Sequence, residues 1–134
     1  MAEVIKDLEK FAKEIVDSSI QVHKEMGPGL LESVYQQCLL KELQLRSIIV
    51  SEQVPIPLVY KGYKLSKEYV IDILVEGEII LELKAVEIIL PVHEAQLISY
   101  LKLADKRMGF LLNFNVPLMK NGLKRFVNNY KLAQ

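Results

Sequence analysis

Asp72, Glu82 and Lys84 are the residues of this 134-residue chain whose types and spacing could do chemistry. They interrupt runs that are otherwise apolar, with Ile71, Ile73, Leu81 and Leu83 beside them. Strands with two apolar faces belong in the middle of a domain. A charge buried there is costly unless it is paired or binds a metal. Two carboxylates and a backbone carbonyl, that of Leu83, are the oxygen set that Mg²⁺ (or Mn²⁺) prefers. Such an ion lowers the pKa of a bound water and stabilises charge on a phosphoryl oxygen; Lys84 would orient or help activate that water. The competing reading of the same spacing is a buried Lys84–Asp72 or Lys84–Glu82 ion pair without catalysis.

Strand geometry supplies a condition. Side chains alternate along a strand, so Glu82 and Lys84 share a face. Asp72 joins them only if the hairpin loop has an odd number of residues or the strand carries a bulge. A Glu76-Gly77-Glu78 loop sets Asp72 opposite Glu82, with Cβ atoms roughly 4.5–5.5 Å apart. A Val75-Glu76-Gly77 loop sets them diagonally, roughly 7–8 Å apart. A two-residue Glu76-Gly77 turn sends the carboxylates to opposite faces and abolishes the site. The expectation is an odd loop or a bulge.

The elements that must position these residues follow from periodicity. Val4, Leu8, Phe11, Ile15 and Val22 make an amphipathic helix from about Glu3 to Met26. Its apolar stripe suits either covering a sheet or a homodimer seam. Gly27-Pro28-Gly29 ends it. A second helix runs from about Leu30 to Arg46, its buried side marked by Leu31, Val34, Tyr35, Cys38, Leu39 and Leu43. Then Val54, Ile56, Leu58 and Tyr60 alternate in a strand from Val50 to Tyr60. Pro55 and Pro57 remove two backbone donors, which places that strand at an edge or makes it irregular. Lys61-Gly62 forms a turn. Tyr69–Val75 and Ile79–Val86 are two more strands, Pro91 opens a third helix, and Met108–Phe114 and Leu123–Val127 are strands separated by a turn at Gly122. The order α-α-β-β-β-α-β-β describes an α/β sandwich with a mixed sheet.

Length suits one domain, residues 1–134, and a 51% hydrophobic composition argues against disorder. The lone cysteine, Cys38, excludes an internal disulfide and fits a reducing compartment. The first residues are charged with no apolar stretch behind them, so neither a secretory leader nor a membrane span is expected, and the cytoplasm is the expected location. Seventeen basic residues balance seventeen acidic ones. Proteins that grip duplex DNA unaided are strongly basic, so nucleic-acid binding here must be local, metal-assisted or supported by a partner. Lys102, Lys106, Arg107, Lys120, Lys124 and Arg125 could form a phosphate-facing rim or an ordinary solvated surface. His23 is expected on the surface near a helix end.

With these residues in place, the chain resembles the PD-(D/E)XK nuclease superfamily, and within it the GxxExxY protein family. Gly29-Leu30-Leu31-Glu32-Ser33-Val34-Tyr35 fits the G-x-x-E-x-x-Y signature. Glu82-Leu83-Lys84-Ala85-Val86, Pro91-Val92-His93-Glu94-Ala95-Gln96, Gly109–Phe114 and Gly122–Arg125 match further, so the resemblance runs from about His23 to Val127. It implies a restriction-endonuclease-like αβββαβ core with a mixed sheet flanked by helices, plus the extra N-terminal helix. Asp72, Glu82 and the Leu83 carbonyl would be metal ligands, joined by Glu32, and Lys84 the catalytic lysine. Gln96 and Tyr100 resemble the Q-x-x-x-Y element of RecB-like members and share a helix face, where they could hold a phosphate or the lysine. His93 and Tyr35 would line the site. Ile71 stands where the superfamily's name has proline. The resemblance implies a Mg²⁺-dependent nuclease acting on DNA or RNA; the competing function is a catalytically inactive module of the same fold that binds nucleic acid or a protein partner.

Overall fold

A computed structural model describes residues 7–130. Helix α1 spans Leu8–Met26 and α2 spans Glu32–Leu45; strands β1 (Val50–Tyr60), β2 (Tyr63–Val75) and β3 (Ile79–Lys84) follow, then α3 (Pro91–Leu103), β4 (Met108–Asn113), a short 3₁₀ turn (Met119–Gly122) and β5 (Leu123–Val127). Among the described residues the strands form one sheet in the order β1-β2-β3-β4-β5. β3 and β4 run parallel and the other neighbours antiparallel. A parallel pair needs a crossover, and α3 supplies it. This is the mixed-sheet, restriction-endonuclease-like α/β fold, with α1 added in front. The start of the expected first helix, from Glu3 to Lys6, lies outside the described residues. No described helix is long and apolar enough to cross a membrane.

Two cores sandwich the sheet. Under α1 and α2 lie Leu8, Ile15, Val22, Tyr35, Leu39, Leu43, Ile73, Leu81 and Leu83. The α1 stripe is therefore occupied by its own sheet. Arg46 fastens α1 to α2, reaching Glu14 at 3.0 Å, Asp17 at 2.8 Å and Glu42 at 2.9 Å. Leu31, expected on the buried side of α2, is 73% exposed because it precedes the first turn as the N-cap. Under α3 lie Ile56, Ile71, Ile80, Leu97, Tyr100, Leu101 and Leu111. Gly109 on β4 brings α3 close: a Cβ there would stand 3.1 Å from Leu97 and 3.2 Å from the Ile80 carbonyl. A side chain would push α3, and with it Gln96 and Tyr100, away from the sheet.

The proline-bearing β1 is an edge strand, as its missing donors require. Its partner β2 is six residues longer at its start than the apolar pattern from Tyr69 indicates. Every residue of β2 from Tyr63 to Val70 is exposed, while Ile71, Ile73 and Val75 are buried. The hairpin β1–β2 is thus half core and half projecting arm.

Candidate functional site

The β2–β3 hairpin meets the parity condition. Val75 pairs with Ile79 and Ile73 with Leu81, leaving Glu76-Gly77-Glu78 as the loop. Glu76 and Gly77 have φ of 54° and 68°, and Glu76 holds the loop to β1 by accepting the Ile49 N–H at 2.8 Å. Extending that register sets Asp72 across from Glu82.

Asp72 is also where the β2–β3 ladder stops and the β1–β2 ladder skips a pair. The β1–β2 register passes from Glu52↔Ile73 to Val54↔Ile71, and Gln53 between them has a φ of 51°. Ile71 and Leu74 pack on the α3 side while Ile73 packs on the α1–α2 side. Strict alternation would keep Ile71 with Ile73, so the faces exchange at Asp72. Side chains take over the hydrogen bonds that the ladder gives up. The Asp72 N–H donates to Glu82 Oε1 at 3.4 Å, the Leu83 N–H donates to Asp72 Oδ2 at 2.9 Å, and Gln36 Nε2 donates to the Asp72 carbonyl at 3.3 Å. Gln36 was not anticipated from sequence, though it lies one helical turn after Glu32 on the same face.

The electrostatics are those of two acids forced together. Glu82 is 6% exposed; burial, followed by the neighbouring Asp72 charge, pushes its carboxyl up to about 8. Burial also raises Asp72, opposed by the Leu83 N–H and by Lys84. Two full charges about 5 Å apart repel by roughly 3 kcal/mol at an effective dielectric near 20, so without a cation the pair retains a proton near neutral pH. Lys84 is half-buried and favours the charged forms of Asp72, Glu82 and Glu32, yet among the described residues it makes no ion pair within 4.0 Å. The closed ion pair that the competing reading requires is not formed.

Glu32 stands in the first turn of α2, where an acid suits the helix dipole. Burial raises its pKa, offset by Lys84, while the Asp72 charge adds to the rise. It therefore looks onto the same site. The described residues contain no group of three His, Cys, Asp or Glu close enough to hold one metal, so Glu32 stands back from the Asp72–Glu82 pair. Tyr35 is not part of the site: fully buried, it stacks on Phe114 at 4.6 Å, its hydroxyl donates to the Gly27 carbonyl at 2.5 Å and accepts the Leu30 N–H at 3.1 Å. Its role is to strap the Gly27–Gly29 loop that leads into Glu32.

α3 forms the opposite wall. Tyr100 lies near Glu82 and Asp72; burial, followed by the Glu82 charge, raises its hydroxyl to about 12, and its ring packs on Tyr69 at 5.1 Å. Gln96, His93, Ser99 and Tyr69 line a cleft of about 440 Å³. His93 Nδ1 accepts the Leu90 N–H at 3.0 Å, capping α3, and its ring lies within electrostatic reach of Glu32. Behind the site, Asn113 holds the chain that leaves β3, donating to the Val86 carbonyl at 2.8 Å and accepting the Val86 N–H at 3.1 Å. Neither Tyr69 nor Asn113 stood out in the sequence; only their neighbours in space give them a role. His23 is half-buried rather than on the surface, with Nε2 2.7 Å from the Val116 carbonyl.

A model of the PD-(D/E)XK nuclease superfamily matches residues 9–126. The chain belongs to the PD-(D/E)XK nuclease superfamily. The match takes in every element from α1 to β5, and so includes Glu32, Asp72, Glu82, Lys84 and Gln96. Nucleases of this superfamily generally use divalent metals. No curated protein and no solved structure matches the chain.

Proposed function

We propose that this PD-(D/E)XK domain hydrolyses phosphodiester bonds in nucleic acid with Mg²⁺ or Mn²⁺ held by Asp72 and Glu82. The observation that carries the reading is a carboxylate pair, Glu82 buried and Asp72 half-buried, that lean on each other and on backbone N–H groups, with no Lys or Arg within 4.0 Å among the described residues. A structural network pairs its acids; this one leaves them without a basic partner among the described residues. The donor set fits a hard divalent ion. Backbone N–H groups occupy Asp72 Oδ2 and Glu82 Oε1, which leaves Asp72 Oδ1 and Glu82 Oε2 as oxygens of opposite strands. The Leu83 carbonyl is the remaining oxygen that would serve the ion directly, with Glu32 standing back from it.

Bound there, the ion would supply charge to stabilise a phosphoryl oxygen. The chain's own residues do the rest. Lys84, beside the three carboxylates, orients water or a phosphate oxygen. Gln96 and the Tyr100 hydroxyl offer donors from α3 to the same phosphate. Gln36 and Asn113 keep Asp72 and Lys84 in place from behind.

The test is cleavage of end-labelled single- and double-stranded DNA and RNA with Mg²⁺ or Mn²⁺, beside Glu82→Ala and Lys84→Ala. Metal-dependent cleavage lost in both variants supports the proposal; cleavage equal to wild type in either ends it. The neutral net charge favours a second reading, a non-catalytic module. It expects no heat of Mn²⁺ binding by calorimetry and full tolerance of Glu82→Gln.

A further inference from the structure

The distal half of the β1–β2 hairpin contributes nothing to either core. Tyr60 and Tyr63 face each other across the Lys61-Gly62 turn, whose φ values of 49° and 82° are those of a tight hairpin. Tyr60 is 61% exposed and Tyr63 76%. Neither stacks on another ring among the described residues; Lys61 Nζ sits 5.5 Å from the Tyr60 ring centre. Lys64 and Lys67 follow on β2, so this stretch carries three lysines against one acid, Glu68.

Some of the surface cations are already engaged. Arg46, Lys124 and Arg125 are bound to carboxylates, Arg125 to Glu9 at 2.5 Å and Lys124 to Glu94 at 2.7 Å. Lys61, Lys64 and Lys67 have no acidic partner within 4.0 Å among the described residues. Of the six cations expected as a rim, Lys124 and Arg125 are thus neutralised, while Lys102, Lys106, Arg107 and Lys120, like the arm's lysines, have no acidic partner within 4.0 Å among the described residues; those of the arm flank the exposed Tyr60 and Tyr63.

We propose that this arm is a binding surface for single-stranded nucleic acid, with Tyr60 and Tyr63 stacking on unpaired bases and Lys61, Lys64 and Lys67 facing phosphates. Exposed tyrosines interleaved with lysines are the two parts such surfaces need. Protein interfaces, by contrast, are depleted in lysine. Bases in a duplex cannot lie on a tyrosine face, and a neutral chain lacks the charge to grip duplex phosphates. The arm is continuous with the candidate site: β2 runs from Tyr63 through Tyr69, which packs on Tyr100, to Asp72, a path of about 30 Å. A strand lying along it would lead to the carboxylates. This inference rests on the nuclease reading for the identity of the polymer, but its test is independent of cleavage.

Binding is measured by anisotropy of fluorescein-labelled oligo(dT) and oligo(U), about 16 nucleotides long, and a duplex of equal length, all in EDTA. The single strands should bind more tightly than the duplex. Tyr60→Ala/Tyr63→Ala should weaken single-strand binding at least about tenfold. Lys61→Gln/Lys64→Gln/Lys67→Gln should lower the slope of log affinity against log salt by about 2. The chain has no tryptophan, so Tyr63→Trp installs a lone reporter that should keep affinity and be quenched by the oligonucleotide. Wild-type affinity in the arm variants, equal binding of duplex, or absence of binding by wild type would each overturn the proposal. So would a change from dimer to monomer by light scattering in the tyrosine variant with oligonucleotide affinity intact, which would make the arm a contact between copies. Cleavage by wild type with unaltered arm variants would leave the nuclease standing without the arm. Arm-dependent binding without cleavage would do the reverse.

Discussion

The two halves of β2 obey different rules. From Ile71 to Val75 the strand is held on both faces, and a change in one side chain is felt by two helices. From Tyr63 to Glu68 it is held by β1 alone, and every side chain meets solvent. Asp72 stands at the join, where ordinary pairing yields to side-chain hydrogen bonds on three sides. A carboxylate at this boundary has the low-dielectric surroundings of the first half and the access of the second. Neither half alone offers both.

The difference can be broken most severely at the join. Glu82→Ala or Lys84→Ala should lower metal-dependent cleavage by about 10²–10⁴-fold with the fold intact by circular dichroism. In the buried half, Ile73→Ala should cost about 2–5 kcal/mol in urea unfolding, whereas Leu65→Ala in the arm should stay within about 0.5 kcal/mol. Equal costs would mean the arm is part of the core.

Acidity sharpens the same contrast. The Glu82 carboxyl is raised in the folded chain, so folding takes up protons between its ordinary value and about 8. Its contribution to stability is therefore fully present below about pH 4.5 and is lost as pH rises through about 8. Glu82→Gln removes that loss, and should melt roughly 5–10 °C above wild type at pH 9, with the gap closing toward pH 5. A gap independent of pH would contradict the raised carboxyl. A modest effect is expected at Gln36→Ala, which leaves the Asp72 carbonyl without its side-chain donor. It should cost about 1 kcal/mol, and a Gln36→Leu variant should cost at least as much.

The helices, the edge position of β1 and the odd loop were legible in the sequence because each rests on local rules: apolar period, missing proline donors, strand parity. The exchange of faces at Asp72 was not. Ile71 and Ile73 are equally apolar, and nothing local separates one core from the other. The arm from Tyr63 to Glu68 was equally hidden, since Lys67 breaks, after only four residues, the apolar alternation that marks a half-buried strand. Asp72, Glu82 and Lys84 announced themselves as charges among apolar neighbours. Glu32 and Gln96 needed the family resemblance, and Tyr35 was drawn toward the site by its motif although its hydroxyl serves the Gly27 loop.

Pro55 and Pro57 carry a consequence for how the molecule behaves in a crowded solution. An open edge next to exposed Val59, Tyr60 and Tyr63 is the kind of template on which copies add strand to strand and aggregate. Two missing amides in the outer strand interrupt that template. The protein can therefore carry an exposed hairpin tip at its margin and still resist polymerising through it.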